Sequence, residues 1–371
     1  MSKVPIIRTS ERRSFKRCPQ AWWWGWRMGL VPVGSISDAL WFGTGVHIAL
    51  AAWYCGPGKK RGPEPAETFA AWAVGEIRHI KTSNRFGNAA EALIEEKLVP
   101  AQVLGTTLLE CYLKEYGRDE HMFVIRPEYS GQINIADPDF ADEILAIYAF
   151  TYDLVYRDLN DDRILLEEHK TARAIVTSHL QLDDQAGSYW AIADQQLRAE
   201  GVLKPKERIR GIEYNFIRKA MPDERPRNAE GYYTNKPTKA DYLAAMRSRP
   251  GDLSKLKVEE LADLAESRGI KVFGEVSKLQ PKPLFQREFV HRTAAERATQ
   301  IRRIQDEALV LDAFRTGDLP LIKNPTRECS FCPFQGLCEL DEGGHDTSDY
   351  LRAIYRTQDP YADHRKSTEE S

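Results

Sequence analysis

The sequence predicts an α/β fold in which a helical N-terminal region precedes a mixed central sheet flanked by helices. Three observations favour this class. Residues 19–116 carry apolar side chains at helical spacing, residues 122–218 contain several strand-like apolar stretches, and residues 284–315 fit one more strand followed by a long helix. With 371 residues, of which 42% are hydrophobic and 29% charged, the chain can bury a sizeable core.

The first third of the chain is predicted to be helical. Pro19 suits the first position of a helix that continues from Ala21 to Met28 and stops at Gly29. Four tryptophans fall within this helix and cover most of its circumference, so at least two of them are expected in the core. Further helices are predicted at Asp38 to Tyr54, Ala66 to Lys81 and Ala89 to Tyr116.

Strand-like segments dominate the middle of the chain. They lie at Met122 to Tyr129, Ile144 to Arg157, Ile164 to His169 and Arg208 to Arg218. Turn-forming residues at 159–162 predict that the second and third segments form a β-hairpin. A helix from Leu180 to Ala199 is predicted before the last of these strands, and a strand from Leu284 to His291 with a helix from Thr293 to Arg315 follows later.

A change of composition divides the chain. From about residue 222 to 282, Pro, Gly, Asn and charged residues are frequent, and two short helices are predicted at Lys239 to Arg247 and Val258 to Arg268. We interpret this segment as an insertion; it resembles small two-helix DNA-binding modules of the SAP type, so it is a candidate DNA contact. The predicted organisation is a core at 1–221, the insertion at 222–282, a return to the core at 283–345 and a polar tail at 346–371.

The overall charge is close to neutral, with 52 basic and 55 acidic residues and a net charge of −3. Any DNA contact must therefore come from a local basic groove, since bulk charge does not favour it. No apolar run approaches the ~20 residues that span a bilayer, and no secretory leader is evident. We expect a cytoplasmic protein without membrane contact, in which Cys55 and Cys111, both in apolar surroundings, are buried free thiols.

The other four cysteines are spaced as metal ligands. Cys18 stands alone near the N-terminus, and Cys329, Cys332 and Cys338 form a C-x2-C-x5-C cluster near the other end of the chain. In a reduced cytoplasm, cysteines of this kind favour metal ligation over a disulfide framework. Four thiolates without a nearby histidine suit either tetrahedral zinc or a 4Fe–4S cluster, and the cysteines alone leave both open. Either centre would join the two ends of the chain.

Two acids and a lysine occupy the strand-rich region. Asp153 lies in an apolar segment, while Glu168 and Lys170, two residues apart in the next strand, face the same side. The predicted hairpin brings Asp153 within reach of Glu168, and adjacent carboxylates repel each other unless a divalent cation neutralises them. Such oxygen ligands suit Mg²⁺ or Mn²⁺, which would activate a water for attack on a phosphodiester while Lys170 supplies positive charge. The alternative is a surface hairpin with alternating acids.

Two further motifs contain polar residues on predicted helices. His47 follows Gly43 and Gly45, which would permit close approach of another backbone. Gln185 and Tyr189, spaced i, i+4, share one face of their helix, where they can contact a phosphate or a base. The alternatives are a structural histidine and an ordinary amphipathic helix.

Taken in order, these motifs resemble the RecB-family branch of the PD-(D/E)XK nuclease superfamily, whose fold is restriction-endonuclease-like. The resemblance covers roughly residues 10–220 and 284–340. It implies a metal-dependent nuclease in which His47, Asp153 and Glu168 hold Mg²⁺ or Mn²⁺.

The same resemblance assigns the remaining catalytic roles. Lys170 corresponds to the catalytic lysine that follows Asp153 and Glu168 in the family motif. Gln185 and Tyr189 correspond to residues that orient the substrate. All five are therefore candidate catalytic residues.

Some residues depart from the family pattern or extend it. The family usually has Gly or Pro before the strand acid, whereas residues 150–152 are Phe-Thr-Tyr, which leaves Asp158 as an alternative to Asp153. Glu167 would replace the neighbouring glutamate only if the strand slipped by one residue. Glu128 occupies the place of a further acid in the family and is a candidate substrate contact.

The split cysteines resemble the iron–sulfur subgroup of this family, which includes AddB nuclease domains, CRISPR-adaptation exonucleases and phage-encoded relatives. This resemblance implies a structural 4Fe–4S cluster held by Cys18, Cys329, Cys332 and Cys338. It also implies an exonuclease on single-stranded DNA or DNA ends in a bacterial or phage-infected cell, with recombination or CRISPR-adaptation proteins as partners. The alternatives are an endonuclease or nickase, and a cluster-stabilised DNA-binding or recombination accessory protein with weak or no nuclease activity.

A basic patch precedes the first cysteine. Arg12, Arg13, Lys16 and Arg17 lie just before the tryptophan-rich helix. Cations beside aromatic rings suit single-stranded DNA, because phosphates meet the cations and bases stack on the rings. These four residues are candidate substrate contacts.

Overall fold

The computed structural model describes residues 4–34, 36–83, 89–140, 142–247 and 253–362. Contacts divide the chain into two compact units, the larger formed by Met1–Lys219 with Phe285–Ser371 and the smaller by Ala220–Leu284. Every residue predicted to hold a metal, a cluster or substrate lies in the larger unit. The domain boundaries given above stay predictions.

Twelve helices occur in the described parts of the chain. They are α1 (Thr9–Arg17), α2 (Pro19–Trp22), α3 (Asp38–Trp53), α4 (Pro65–Thr82), α5 (Ala89–Leu93), α6 (Val99–Tyr116), α7 (Asp184–Ala199), α8 (Lys239–Ala245), α9 (Val258–Ser267), α10 (Ala294–Thr316), α11 (Gln335–Glu342) and α12 (Ser348–Ile354). Wider π-helical turns at Trp23–Arg27 and Ile94–Leu98 extend α2 and link α5 to α6. Helices α3, α4 and α10 match their predicted positions to within one residue, and α7 begins four residues later than predicted, whereas α1, α11 and α12 were not predicted.

One predicted helix is interrupted. Residues 89–116 form α5, a π-helical turn and α6 rather than one regular helix. Pro100 lies in the first turn of α6, where its missing N–H leaves no hydrogen bond unmade. The backbone stays in the right-handed helical conformation at Leu98 and Val99, so the proline marks a change from π-helical to α-helical hydrogen bonding.

Ten strands form mixed sheets. They are β1 (Ile6–Arg8), β2 (Leu30–Pro32), β3 (Met122–Arg126), β4 (Tyr129–Ala136), β5 (Ile144–Tyr152), β6 (Leu154–Asp158), β7 (Ile164–Ala172), β8 (Ile209–Arg218), β9 (Phe285–His291) and β10 (Tyr355–Thr357) in the described residues. The main sheet has the order β3-β6-β7-β8-β9, a second sheet has the order β1-β5-β4, and β10 pairs with β2. Strands β7 and β8 are parallel, as are β1 and β5, while the other pairs are antiparallel. The predicted α/β class with a mixed sheet is confirmed.

The predicted hairpin is present, but the strands on either side of it divide differently. Strand β6 pairs with β7 in antiparallel fashion, with Leu154 opposite Glu167. The predicted strands at 122–129 and 144–157 are each two strands, and the two halves belong to different sheets. The chain therefore crosses between sheets twice in this region.

The main core lies between the sheets and helices α7 and α10. Trp190 of α7 and Trp22 are fully buried in it. Trp24 is buried in a second cluster near the C-terminal residues, so the expectation that at least two N-terminal tryptophans are core residues is confirmed. No helix in the described ranges is long and apolar enough to cross a membrane.

The two cysteines predicted to be buried are not. Cys55 is exposed and Cys111 is half-buried. Cys55 follows the last turn of α3, so the apolar residues before it pack inward while the cysteine itself faces solvent. The prediction for Cys55 was wrong because apolar neighbours in sequence do not fix the direction of a side chain just beyond a helix end, whereas Cys111 lies within α6 and is only partly covered.

The smaller unit has its own small core. Met246, Leu261 and Ala265 are buried between α8 and α9, the two helices predicted for this segment. Thr238 and Asp241 form a capping box at the start of α8. The predicted end of this helix is near residue 247, and residues 248–252 lie outside the described ranges.

Candidate active site and cysteine pocket

The two crossings between the sheets place two acids side by side. Glu128 lies between β3 and β4, and Asp153 lies between β5 and β6. Because Tyr129 pairs with Tyr152, the start of β4 and the end of β5 are neighbours. Glu128, just before Tyr129, and Asp153, just after Tyr152, are therefore brought to the same point. Regular strand pairing stops there, so their side chains can converge.

His47 reaches Asp153 from helix α3. Gly45 lets this helix lie close to α4, since a Cβ at that position would collide with the ring of Trp72. A Cβ at Gly43 would make only an ordinary contact, at 3.4 Å, with Oγ1 of Thr171 on β7. The Nδ1 of His47 is 2.9 Å from Oδ1 of Asp153, and the backbone N–H of His169 donates to Oδ2 at 2.7 Å. Both carboxylate oxygens are thus held in place.

Glu168 and Lys170 project from β7 toward the same site. The Nζ of Lys170 donates to Oε1 of Glu168 at 2.7 Å, as the alternation of the strand predicts. Glu168 is only 3% exposed, and its Oε2 is buried without a hydrogen-bond partner in the described residues. A buried carboxylate oxygen left without a donor is costly unless a cation binds there.

The charges of the site influence one another strongly. Burial raises the pKa of Glu168 to about 7, with Lys170 opposing and Asp153 adding to the rise. Burial works against ionised Asp153, yet the cationic His47 outweighs it and lowers the pKa of that carboxyl to about 2. The pKa of His47 is raised to about 9, because the Asp153 carboxylate overcomes the desolvation that would lower it. In the metal-free protein His47 and Asp153 therefore form an ion pair.

Three side chains can share one metal ion. His47, Glu128 and Asp153 offer ligand atoms that all lie within 4.8 Å of one another, and this is the one such set of His, Cys, Asp and Glu in the described parts of the chain. Desolvation and the Asp153 carboxylate raise the pKa of Glu128. The sequence suggested Glu128 as a substrate contact only. Its place beside Asp153 depends on the paired crossings, which no local sequence pattern reveals.

Gln185 and Tyr189 have different surroundings. The Oε1 of Gln185 accepts from Nζ of Lys170 at 3.0 Å and from Arg13 at 2.9 Å. Tyr189 is half-buried and packs against the main core, and burial raises the pKa of its hydroxyl. Gln185 thus contacts the candidate catalytic lysine directly, whereas Tyr189 lies one helical turn deeper.

The four basic residues of the N-terminal patch separate into two faces of α1. Arg12 is 1% exposed and pairs with Glu307 at 2.5 Å, so it ties α1 to α10 instead of meeting solvent. Lys16 forms ion pairs with Asp184 and Glu307. Arg12 is therefore a structural residue, which corrects its prediction as a substrate contact.

The two remaining members of the patch are accessible. Arg13 and Arg17 are both exposed on the other face of α1. Arg13 contacts Gln185 and thereby the neighbourhood of Lys170.

The alternative acids considered from the sequence lie elsewhere. Glu167 is fully buried on the opposite face of β7, where Oε1 is 3.9 Å from Arg287. Asp158 is at the far end of β6, and its Oδ1 accepts from the backbone N–H of Asn160 at 2.9 Å in the hairpin turn. The strand has not slipped, so Glu168 is the glutamate that faces Lys170.

The four cysteines predicted to hold a cluster line one cavity. Cys18, Cys329, Cys332 and Cys338 surround a space of about 150 Å³. All are free thiols. Burial raises the pKa of Cys338, and the neighbouring Cys18 and Cys329 raise it further while Lys323 lowers it. The four thiols therefore lie around one shared space.

Packing between the chain ends brings these cysteines together. The backbone N–H of Gln20 donates to the carbonyl of Ile322 at 3.2 Å, and Asn324 donates to the carbonyl of Arg17 at 2.9 Å. Trp24 packs against Phe334 in the cluster that also contains Cys18, Cys332 and Cys338. The cavity is therefore built from both ends of the larger unit.

Comparison with known proteins agrees with this geometry. A family model described as the PD-(D/E)XK nuclease superfamily matches residues 9–339. No curated protein matches the sequence. The helices and mixed sheets fit the restriction-endonuclease-like fold of that superfamily, as predicted. Because the match covers most of the chain, the protein belongs to the PD-(D/E)XK nuclease superfamily.

Proposed function

We propose that this protein is a Mg²⁺- or Mn²⁺-dependent exodeoxyribonuclease that acts on single-stranded DNA or DNA ends. Its superfamily makes it a metal-dependent nuclease acting on DNA. The observation that carries the proposal is the convergence of His47, Asp153, Glu168 and Lys170 at one point beside the crossings between the sheets.

The side chains fit a hard divalent cation. Carboxylate oxygens and one imidazole are suitable ligands, and three of them are already within 4.8 Å of one another. The unpartnered Oε2 of Glu168 supplies a further oxygen. A cation held by His47, Asp153 and Glu168, with Glu128 beside it, would lower the pKa of the attacking water and offset charge on the phosphate.

Lys170 contributes a fixed positive charge. Glu168 and Gln185 hold its ammonium between them, at 2.7 and 3.0 Å. Desolvation would lower the pKa of Lys170, but the neighbouring carboxylates outweigh it and raise the pKa. The lysine therefore stays protonated and can attract the scissile phosphate, whose charge grows in the transition state.

The choice of substrate rests on the resemblance to the RecB family. The iron–sulfur subgroup of that family, with its split cysteines, includes exonucleases of CRISPR adaptation, and recombination proteins are partners of others. We extend this to the present chain as an exonuclease on single strands or ends, with partners of the same kind.

We propose that the cysteine cavity holds a 4Fe–4S cluster. In tetrahedral zinc the sulfurs would lie roughly 3.8 Å apart, since each Zn–S bond is about 2.3 Å. No three cysteine sulfurs of the described chain lie within 4.8 Å of one another in the absence of a metal, and the choice of a 4Fe–4S cluster over zinc rests on the resemblance of the split cysteines to the iron–sulfur subgroup. The role of the cluster would be structural, joining the two ends of the chain, because phosphodiester hydrolysis needs no electron transfer. Iron and acid-labile sulfide in the purified protein would support this assignment, whereas stoichiometric zinc would refute it.

The test of nuclease activity uses end-labelled single-stranded and duplex DNA with Mg²⁺ or Mn²⁺. Wild-type protein should degrade the DNA only when the metal is present, and Lys170→Ala should lose this activity. A ladder of products shortening from one end supports an exonuclease and gives its polarity, whereas internal cuts in circular single strands would show an endonuclease. Equal activity in both proteins would remove Lys170 from catalysis. DNA binding without cleavage by either protein, with the metal centre loaded, would favour the accessory-protein alternative.

A further inference from the structure

The exposed face of α1 lines a groove next to the candidate active site. Ser10, Arg13, Ser14 and Arg17 fall at helical spacing and border one cavity of about 570 Å³, to which Glu328 also contributes. We call these four residues the α1 groove face.

The cavity is connected at both ends through its two arginines. Arg13 also borders a second cavity, of about 400 Å³, which contains Lys170 and Thr171. Arg17 also borders the cavity formed by the four cluster cysteines. The three cavities therefore neighbour one another along α1, with the candidate catalytic lysine beside one of the outer two and the cysteines beside the other.

The arginines of this face are free to bind a ligand. Arg13 donates to the neutral amide oxygen of Gln185 at 2.9 Å. In the described structure the guanidinium of Arg17 has no hydrogen bond or ion pair to another residue, while it is exposed. By contrast, the cations on the other face, Arg12 and Lys16, are neutralised by Glu307 and Asp184.

Three acids lie near the groove, and they offset only part of its positive charge. Asp184 forms an ion pair with Lys16. Burial would raise the pKa of the Asp184 carboxyl, but the ion pair lowers it. Asp183 accepts from the backbone N–H of Gln185 at 3.0 Å as the N-cap of α7. Glu328 remains as the one acid that borders the central cavity.

We propose that the α1 groove face binds the sugar–phosphate backbone of a single DNA strand and leads it past the cysteine pocket to Lys170. Arg13 and Arg17 are one helical turn apart, about 6 Å along the axis, so they can contact separate phosphates of one strand. Ser10 and Ser14 add hydroxyl donors beside them, a common partner of phosphate oxygens. A single row of such donors follows one backbone and does not distinguish bases. This proposal rests on the proposed function.

The test measures DNA binding without cleavage. A fluorescent oligothymidylate strand is titrated by anisotropy at several salt concentrations, with the Lys170→Ala protein as background. The Arg13→Gln/Arg17→Gln double variant in this background should bind more weakly. The slope of log affinity against log salt should become shallower by about 1.4, because each phosphate that an arginine neutralises adds about 0.7. Arg78→Gln/Lys81→Gln is the matched control, because it removes two exposed charges one turn apart on α4, outside these cavities.

The possible results distinguish DNA binding by the α1 groove face from nuclease activity. An unchanged slope in the Arg13/Arg17 variant, or an equal fall in the α4 control, would overturn the groove while leaving cleavage by wild-type protein as support for the nuclease. If the salt slope falls only in the Arg13/Arg17 variant but wild-type protein cleaves no DNA, the groove would be supported and the proposed nuclease activity would be refuted. Equal melting temperatures and equal metal content are required of the variants, and Arg17→Gln alone provides the same test if the double variant is unstable.

Discussion

The Nδ1 of His47 lies 2.9 Å from Oδ1 of Asp153, although 106 residues separate them in the chain. Helix α3 supplies the imidazole, and the crossing between β5 and β6 supplies the carboxylate. The pair is ionised in the metal-free protein, as the raised pKa of His47 and the lowered pKa of Asp153 show. A metal ion held by His47, as we propose, would therefore have to replace the proton on this imidazole.

Metal binding is expected to depend on this pair. With Mn²⁺ present at about a hundred times its dissociation constant, wild-type protein should gain about 2.7 kcal/mol in the free energy of unfolding. Asp153→Asn should lose most of this gain, because the substitution removes a charged ligand and leaves His47 without its partner. Chemical denaturation with and without Mn²⁺ measures the effect. A gain of the same size in Asp153→Asn would place the metal elsewhere.

The pKa of Glu168 predicts a pH dependence of stability. It is raised from 4.5 to about 7, so between these values the folded metal-free protein binds more protons at this group than the unfolded chain does. The contribution of Glu168 to the free energy of unfolding is therefore present below about pH 4.5 and is lost as the pH rises to about 7. Glu168→Gln has no titrating carboxyl at this position, so this loss of stability with rising pH does not occur in it.

The measurement is the difference between two proteins. In chelator, Glu168→Gln should become more stable relative to wild type as the pH rises through this window, by up to about 3 kcal/mol. The difference removes the titration of groups that Glu168 does not influence, while the pKa of His47, which Glu168 helps to raise, should fall in the variant. Adding Mn²⁺ should reverse the order, because the metal uses the ionised carboxylate. A constant difference across the window would show that the carboxyl titrates normally.

The position of Gln185 predicts a loss of rate rather than of stability. Its Oε1 receives hydrogen bonds from both Lys170 and Arg13. Gln185→Ala should lower kcat by about tenfold to a hundredfold, as is typical when a group that orients catalytic side chains is removed. Gln185→Glu keeps an acceptor and should retain more activity at the same KM. Single-turnover cleavage of a short strand measures this, and unchanged kcat in Gln185→Ala would exclude an orienting role.

Much of the site could be predicted from local sequence. The alternation of a strand places Glu168 and Lys170 on one side, and the turn residues after Asp158 fix the hairpin. The expected helix positions were largely right, because apolar spacing over three or more turns is a strong signal. These features depend on neighbours in the chain.

Other features depend on which sheet a strand joins. Residues 144–157 form one continuous strand-like stretch in the sequence, so nothing there marks the crossing at Asp153. For the same reason, Glu128 was not predicted to lie with the metal ligands. The burial of Arg12 follows from the position of Glu307 on α10, far away in sequence. The crossing at Asp153, the place of Glu128 and the burial of Arg12 all depend on contacts between residues that are far apart in the sequence.

The opposite face of β7 contains a buried charge network that predicts a stability effect. Arg287 of β9 forms an ion pair with Asp119 at 2.7 Å and donates to the hydroxyl of Tyr112 at 2.9 Å. It also lies 3.9 Å from Glu167, which is fully buried. Arg287→Met would leave three carboxylates, those of Asp119, Glu167 and Glu213, without this cation, and such a change costs about 3–5 kcal/mol.

Urea unfolding of the metal-free protein checks this value. Arg302→Met, an exposed arginine on α10, is the control and should change the free energy of unfolding by less than about 0.5 kcal/mol. A similarly small change in Arg287→Met would show that the buried carboxylates are protonated and do not need the arginine.

The split cysteines predict that one N-terminal substitution affects the other end of the chain. Cys18→Ser removes one of the four thiols around the cavity, whereas Cys55→Ser changes an exposed thiol outside it. If the cavity holds the proposed cluster, Cys18→Ser should lose iron and sulfide, and limited proteolysis should then cut between α10 and α11 faster. Cys55→Ser should match wild type in both assays. Full iron content in Cys18→Ser would mean that the C-terminal cysteines hold the centre alone, and the cluster would then not join the chain ends.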